Sequence, residues 1–298
     1  MISRFRHAAL VGKYQAHGMR PLLEEIGHLL TRRGLEVSVE IDTAQNTGLA
    51  GYPTLTPDEL GRACDLAVVV GGDGTMLGIA RTLARYNVPM VGINQGRLGF
   101  ITDISVTDVA QTLRAMLAGD YEEEHRAMLE GCVVRDGESI YDAVAMNDVV
   151  LRSGTTSMVE LRVEVDGQFV ANFRADGLIV SSPTGSTAYA LSAGGPILTP
   201  QLPAFLLVPV APHALTHRPI AIGDDAEIVI TVIRGRDAGV HCDGQSHFAL
   251  AEGDCVRLKR AAFHARFLYP EGHDYFAMLR EKLHWSATPE RITRPPAG

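Results

Sequence analysis

The chain has 298 residues, whereas a single domain usually has about 100 to 200, so two domains are expected. Its composition, 46% hydrophobic and 21% charged, is typical of a folded globular protein. The formal net charge of −8 argues against a general nucleic-acid-binding or anionic-lipid-binding protein, because both kinds of ligand need a basic surface.

The four cysteines have no CxxC spacing, which argues against a zinc knuckle or a disulfide framework. The histidines form no HExxH motif. There is neither a signal-peptide pattern nor a run of about 18 to 20 apolar residues. We therefore predict a soluble cytoplasmic protein without a metal site built by side chains alone.

The first 120 residues alternate short apolar strands with amphipathic helices, the pattern of a parallel sheet flanked by helices. Strands are predicted at residues 8–11, 35–41, 66–70 and 88–93. Helices are predicted at 19–33, 75–86 and 106–117. We therefore expect an α/β amino-terminal domain.

From about residue 132 the apolar residues recur with period two, and Asp-Gly pairs at 136–137, 166–167 and 243–244 predict hairpin turns. This half is predicted to form a sandwich or a curled sheet. The charged run 122–126 is interpreted as a linker or a solvated loop between the halves. A short helix is predicted at 276–283, followed by a frayed tail at 287–298.

The sequence GGDGT at residues 71–75 follows a predicted strand and begins a predicted helix, which is where open α/β sheets bind their ligands. Glycines let backbone N–H groups approach phosphate oxygens. Asp73 would repel phosphate but suits a general base that takes a proton from an attacking hydroxyl. The alternative is a tight turn in which Asp73 caps the helix. The segment is neither a Walker A loop nor a GxGxxG motif.

A second polar segment, SSPTGSTAY at residues 181–189, also follows an apolar strand. Its hydroxyls predict contacts to a phosphorylated or ribosyl ligand, or else a cap for a short helix at 188–193. Asn147-Asp148 and Asp176-Gly177 offer short side chains suited to ribose hydroxyls, although such pairs also occur in ordinary turns.

Taken together, five segments resemble the bacterial NAD kinase family, in the family's order and over residues 8–285. They are GGDGT, VGINQGRLGF at 91–100, Asn147-Asp148, ADGLIV at 175–180 and SSPTGSTAYALSAGGP at 181–196. GGDGT alone also occurs in lipid kinases, whereas the two long segments point to NAD kinases. The resemblance implies transfer of a phosphoryl group from ATP to the 2′-hydroxyl of the adenosine ribose of NAD.

The resemblance also implies a role for particular residues. Asp73 is expected to be the general base, and Arg174 matches a basic residue that accompanies preference for NAD over NADH. Asp148 stands where the family usually has glutamate. The implied ligand-binding residues are Asp73, Gly74, Asn147, Asp148, Ser157, Arg174, Asp176, Thr187, Ala188, Tyr189, Ala190, Leu191, Ser192 and Gln245.

For the fold, the resemblance implies an α/β domain at 1–124, an all-β NAD-binding domain at 125–270, and a carboxyl-terminal segment at 271–298 packed back on the first domain. It also implies a homodimer or homotetramer in which a neighbouring subunit completes the site. Mg²⁺ is expected to accompany ATP. Other nucleoside triphosphates and polyphosphate remain possible donors, and a lipid kinase and a non-catalytic nucleotide sensor are the alternative functions.

Overall fold

The computed structural model describes residues 4–13, 18–95, 99–155 and 157–285. Residues 96–98 of the segment at 91–100, and the predicted tail at 287–298, lie outside these ranges. The helices within the described part are Met19–Arg32 (α1), Ile41–Thr47 (α2), Pro57–Ala63 (α3), Asp73–Leu83 (α4), Val109–Ala118 (α5), Tyr189–Ser192 (α6) and Tyr275–Lys282 (α7). Short 3₁₀ turns occupy Ala84–Tyr86, Val106–Asp108 and Thr184–Thr187.

The strands fall into two sheets. They are His7–Gly12 (β1), Glu36–Glu40 (β2), Thr54–Leu55 (β3), Leu66–Val70 (β4), Met90–Asn94 (β5), Ile104–Ser105 (β6), Tyr121–Arg135 (β7), Glu138–Ala145 (β8), Asp148–Ser153 (β9), Val159–Val165 (β10), Gln168–Ala175 (β11), Gly177–Ser181 (β12), Ala204–Val210 (β13), Ile220–Gly223 (β14), Ile228–Arg234 (β15), Ala238–Cys242 (β16), Ser246–Ala249 (β17) and Cys255–Pro270 (β18).

The amino-terminal part is the predicted α/β layer. Its parallel strands lie in the order β5-β4-β1-β2-β3, and β6 pairs with β5. The second strand ends at Glu40, one residue earlier than predicted, because the Glu40 carboxylate accepts a hydrogen bond from Thr43 N and so caps α2. The sequence prediction missed the short helix α3, although Thr56 and Glu59 form a capping box at its start.

The charged run at 122–126 is neither a linker nor a loop, so that interpretation was wrong. It begins the long strand β7, which pairs along most of its length with β18. These charged side chains are compatible with a strand because they form ion pairs within β7 and with the neighbouring strand β18. Glu123 binds Arg266 of β18, and the buried Arg126 binds Glu124.

The carboxyl-terminal half is β-rich, as predicted. β9 and β12–β14 with β16 and β17 form a six-stranded antiparallel sheet in the described residues, in the order β14-β13-β12-β9-β16-β17. The other strands continue the first sheet in the order β11-β10-β15-β18-β5. Apolar side chains of both sheets pack into one core, as in a sandwich.

The three Asp-Gly pairs form the predicted turns. The aspartate and the glycine of each pair have positive φ, for example 52° at Asp243 and 64° at Gly244, which is the requirement of a type I′ hairpin turn. The carboxyl-terminal segment returns to the first half of the chain, where His273 Nδ1 lies 2.8 Å from Asp103 Oδ2.

Candidate active site

Asp73 lies at the carboxyl end of the buried strand β4, as the first residue of α4. Its carboxylate does not cap its own helix, because the N-cap residue Gly72 has no side-chain cap and Asp73 points elsewhere. It accepts hydrogen bonds from the backbone N–H groups of Phe100 at 2.7 Å and Ile101 at 3.2 Å, and also from Thr102. The helix-cap interpretation of Asp73 was therefore wrong.

Gly99 allows this approach between the glycine loop and the segment after β5. A Cβ atom at Gly99 would lie 2.0 Å from Asp73 Oδ1 and 2.4 Å from Thr102 Oγ1. Two of the segments that carry the family resemblance, GGDGT and GINQGRLGF, are thus in direct contact. The contact holds the Asp73 carboxylate in a fixed orientation.

Two cavities flank this region. The first, of about 630 Å³, lies where β1, β2 and β4 end, and we call it the glycine-loop cavity. The residues that line it and carry the argument below are Lys13, Glu40, Asp42, Gly72, Gly74, Thr75, Arg81 and Gln245. Its floor is the amino end of α4, where unpaired backbone N–H groups favour an anion.

The second cavity, of about 360 Å³, lies on the outer face of the six-stranded sheet, and we call it the sheet cavity. It follows β9 from Asp148 through Val150 to Arg152, a distance of about 13 Å at the usual rise of a strand. Its other lining residues are Asn147, Ala188, Tyr189, His241, Asp243 and Gly244. A groove of this shape suits an elongated polar ligand.

Asp148 is 5% exposed. Burial, with a smaller contribution from the nearby Asp243 carboxylate, raises the pKa of Asp148 from 3.8 to about 7. Asn147 Oδ1 is buried and has no hydrogen-bond partner among the described residues. An ionised or neutral carboxyl group beside an unused amide oxygen offers acceptors for ligand hydroxyls.

Two basic side chains also line the sheet cavity. Burial lowers the pKa of His241, and the neighbouring His247 and Arg152 lower it further. His241 is therefore uncharged at neutral pH, so Arg152 carries the positive charge at the far end of the cavity.

Asp243 organises the loop that carries Asn147 and Asp148. Its fully buried carboxylate accepts hydrogen bonds from the backbone N–H groups of Met146, Asn147 and Asp148, at 2.7 Å from Asn147 N. It also binds Arg81 Nη1 of α4 at 3.1 Å. The sequence predicted Asp243 only as a turn residue. In the structure its hydrogen bonds also hold the loop at 146–148.

Gln245 lines the glycine-loop cavity and directly follows Asp243 and Gly244, which line the sheet cavity. Its Nε2 donates to Gly74 O at 2.8 Å, and its Oε1 accepts from Arg81 Nη2 at 2.8 Å. Both polar atoms of the Gln245 amide thus contact the glycine-loop helix. Direct contact of Gln245 with a dinucleotide stays a prediction.

The hydroxyls of residues 181–186 mostly hold the fold together. Ser182 Oγ donates to Met146 O and accepts from Gly185 N, and Ser186 Oγ bonds to Pro183 O and Leu198. Neither hydroxyl caps α6, whose N-cap residue is Ala188. The helix-cap interpretation of these serines was therefore wrong, and contacts of this segment with a ligand stay a prediction.

The segment after these serines reaches the sheet cavity through Ala188 and Tyr189, the latter 39% exposed. Ala190 instead packs in a small apolar cluster under α6, and the hydroxyl of Thr187 donates to Thr184 O. The predicted residues Leu191 and Ser192 do not line either cavity in the structure.

Three predicted residues lie at the other end of β9. Ser157 belongs to a hydroxyl cluster with Ser153 and Thr155, and Asp176 accepts from Ser153 N through its carbonyl oxygen. Arg174 is exposed on β11. Ser153 and Asp148 are the two ends of one strand, about 17 Å apart. The structure does not bring these three residues to Asp73.

The sequence analysis missed Arg81, Lys13, Arg152 and His241. A weak signal existed for two of them, because Lys13 directly follows the strand β1 and Arg81 lies about two turns into the helix that begins at the glycine loop. His241 and Arg152 alternate with apolar neighbours on β16 and β9, which marks only their face of the sheet.

The described residues contain no group of three or more His, Cys, Asp or Glu side chains placed to hold a metal ion. Within the same ranges, no helix is long and apolar enough to cross a membrane.

Comparisons with known proteins agree with this geometry. Residues 10–121 match the ATP-NAD kinase N-terminal domain and residues 146–269 match the ATP-NAD kinase C-terminal domain. The NAD kinase of Polaromonas sp. (strain JS666) is 57% identical over 287 residues, which cover 96% of this chain and 99% of that protein.

Two solved structures are also similar. Yeast NADH kinase complexed with NADH has a TM-score of 0.88 and 25% identity, with 97% of this chain and 90% of that chain covered. An NAD kinase from Archaeoglobus fulgidus in complex with ATP has a TM-score of 0.74 and 29% identity, with 93% and 98% covered. Because both halves match in order and identity to a relative exceeds half over nearly the whole chain, this chain belongs to the NAD kinase family.

Proposed function

We propose that this chain transfers the γ-phosphoryl group of ATP to the 2′-hydroxyl of the adenosine ribose of NAD, giving NADP and ADP. The observation that carries the proposal is that two cavities of different chemistry meet at the turn Asp243-Gly244-Gln245 beside the amino end of α4. The glycine-loop cavity suits phosphates, and the sheet cavity suits ribose hydroxyls. Similar proteins have been solved with NADH and with ATP.

The glycine-loop cavity is the proposed site of ATP. The amino end of α4 and the side chains of Lys13 and Arg81 favour the phosphates. Glu40 and Asp42 line another part of the same cavity and would repel phosphate, so that part suits the uncharged nucleoside. Since the described residues offer no side-chain metal cage, Mg²⁺ would be held mainly by phosphate oxygens and water, and there it would neutralise phosphate charge.

Asp73 is the proposed general base. Its Oδ1 accepts three of the four hydrogen bonds from the segment after β5, whereas Oδ2 accepts only that from Phe100 N among the described residues. Oδ2 thus has a lone pair for the ribose hydroxyl. As the O2′–P bond forms and the bond to ADP breaks, the hydroxyl proton passes to Asp73 and then to solvent.

We further propose that the enzyme is a homodimer or homotetramer. Ser157 and Asp176 contact Ser153, which is at the end of β9 about 17 Å from Asp148, and Arg174 lies two residues before Asp176 on β11. These three residues would complete the dinucleotide site of a neighbouring subunit. Arg174 would favour NAD over NADH. Light scattering would establish the oligomeric state, and comparable rates on NADH would contradict the acceptor preference. The cytoplasmic location stays a prediction from composition.

The test is formation of NADP by the purified protein with NAD, ATP and Mg²⁺, coupled to an NADP-specific dehydrogenase. Asp73→Asn keeps the shape of the side chain and removes the base, so turnover should fall at least about 100-fold, with a milder loss of NAD binding. Near-normal turnover of Asp73→Asn would exclude the base role. If the wild type binds NAD but forms no NADP, the protein is a nucleotide sensor or uses another donor.

A further inference from the structure

Arg81 and Asp243 are 162 residues apart and connect the two halves of the site. Arg81 lies on the glycine-loop helix α4, and Asp243 begins the turn between β16 and β17. Their side chains are 19% and 0% exposed, so the ion pair is largely shielded from water and from salt. Salt therefore screens it less than a surface pair, and removal of one partner would leave a buried charge uncompensated.

Each partner makes other contacts that reach a cavity. Asp243 accepts from the three successive N–H groups of residues 146–148, which fixes the loop that presents Asn147 and Asp148. Arg81 also donates to Gln245, whose amide holds the carbonyl of Gly74 in the glycine loop. An unbroken chain of hydrogen bonds thus runs from the glycine loop to the loop of Asp148.

We propose that the Arg81–Asp243 ion pair is a positioning device that holds the dinucleotide-binding loop at 146–148 in register with the glycine loop, and that the Arg81 cation offsets the repulsion between Asp243 and Asp148. Neither side chain is proposed to contact the ribose hydroxyl or to take its proton. The inference rests on the proposed function in so far as the sheet cavity binds NAD.

The electrostatic part follows from what surrounds Asp148. Asp243 is a like charge close enough to contribute to the raised pKa of Asp148. The only fixed positive charges near the two carboxylates in the described residues are Arg81 and Arg152, because burial keeps His241 neutral. The titratable or charged groups that face Asp148 are Asp243, His241, Cys242, Tyr189 and Arg152, with Arg81 behind Asp243.

The loss of Arg81 and the loss of Asp243 should therefore shift the pH midpoint of Asp148 ionisation in opposite directions. Without the Arg81 cation, the negative charge of Asp243 is no longer offset, so Asp148 should keep its proton to higher pH. Without the Asp243 charge, Asp148 loses its proton at lower pH. A variant that merely loosened the fold would not produce shifts of opposite sign.

The experiment is a calorimetric titration of the full-length protein with NAD between pH 6 and pH 9, for the wild type, Arg81→Met, Arg81→Lys and Asp243→Asn. The matched control is Arg135→Met, which breaks a similar pair of an arginine with the buried Asp254, joined at 2.7 Å, away from both cavities. Circular dichroism shows whether each variant is folded.

For the wild type we expect NAD affinity to rise as the pH increases through about 7, because the ionised Asp148 accepts ribose hydroxyls. Arg81→Met should bind NAD at least about tenfold more weakly at pH 7, with the midpoint raised by at least about 0.5 pH unit. Asp243→Asn should lower the midpoint. Arg81→Lys keeps the charge but cannot bind Asp243 and Gln245 together, so it should weaken binding without moving the midpoint.

Arg135→Met should bind NAD with the affinity and the pH midpoint of the wild type, even if its thermal stability falls. The proposal is wrong if Arg81→Met behaves like Arg135→Met, or if Arg81→Met and Asp243→Asn shift the midpoint in the same direction. If Arg81→Met does not fold, the proposal is wrong if Arg81→Lys binds NAD as tightly as the wild type or if Asp243→Asn fails to lower the midpoint. Because binding does not require turnover, a wild type that forms no NADP would refute the proposed function and leave this test decisive.

Discussion

Asp148 is a buried carboxyl group whose ionisation lowers the stability of the folded protein. Its carboxyl group is buried beside the Asp243 carboxylate, and its pKa is raised from 3.8 to about 7. The folded state therefore keeps a proton between these two pH values that the unfolded state has lost. By linkage, the contribution of Asp148 to stability falls as the pH rises from about 4 to about 7 and stays low above that.

Asp148→Asn should thus stabilise the free protein at pH 8, on the order of 2 kcal/mol, and change its stability little at pH 4. The same variant should weaken NAD binding, since an amide cannot replace both acceptor oxygens of the carboxylate. Urea unfolding at the two pH values, together with an NAD titration, checks both effects.

Asp254→Asn provides the control of opposite sign. A hydrogen bond from Arg135 lowers the pKa of Asp254, so this carboxylate stabilises the fold above its unfolded pKa, and its replacement should destabilise the protein at pH 8. If Asp148→Asn and Asp254→Asn lost stability equally at pH 8, the raised pKa of Asp148 would be contradicted.

At the scale of elements, the segment 181–187 supports the loop at 146–148, which is the proposed ligand-binding loop. Gly185 comes so close to that loop that a Cβ atom would lie 2.0 Å from Asn147 O. Ser182 N donates to the same carbonyl oxygen at 2.8 Å, and Ser182 Oγ reaches the carbonyl oxygen of Met146. The geometry of Asn147 therefore depends on Ser182.

Ser182→Ala should raise the KM for NAD several-fold and destabilise the protein by about 1–3 kcal/mol, because buried backbone groups lose their partner. Ser186→Ala is the matched control: its hydroxyl is also buried, but it binds Pro183 and Leu198 instead of the loop at 146–148. Steady-state kinetics and urea unfolding separate the two variants. An equal rise in KM for both would mean that the serines act only through general stability.

Local sequence patterns predicted the elements that depend on near neighbours. Leu66–Val70 reads as a buried strand because it is continuously apolar, and the Asp-Gly pairs predict their turns because few other residues tolerate positive φ. The short helices α2 and α3 were missed because about two turns carry too little periodicity. The strand at 122–126 was missed because the strand with which it pairs, β18, is distant in the sequence.

The site, like the fold, was predictable only where the sequence carries a local motif. The resemblance marks Asp73, Asn147 and Asp148. In the structure Asn147 and Asp148 line the sheet cavity, whereas Asp73 lies between Gly72 and Gly74 of the glycine-loop cavity and turns its carboxylate toward Phe100. The resemblance did not mark Arg81, and no local pattern pairs it with Asp243, because that contact exists only when two halves of the chain pack. Likewise, the serines at 182 and 186 read as ligand donors because a sequence does not show which hydroxyls are buried.

At the scale of the whole molecule, the two halves share one sheet. β18 pairs with β15 and β7 of the carboxyl-terminal half and also lies parallel to β5 of the α/β layer. Ala265 and Phe267 of this strand pack in the same core as Met76 and Leu83 of α4. The α/β layer therefore depends on a strand that comes from the end of the chain.

We accordingly expect the full-length protein to unfold in one cooperative transition, which NAD shifts to higher temperature as a whole. A fragment of residues 1–121 should not fold alone, because it would expose the edge of β5 and the apolar side chains that β18 covers. Differential scanning calorimetry with and without NAD, and circular dichroism of the fragment, test this expectation. Two separate transitions of which NAD shifts only one, or a fragment that melts cooperatively, would show that the halves are independent despite the shared sheet. The ion pair of Arg81 and Asp243 would then be the main coupling between them.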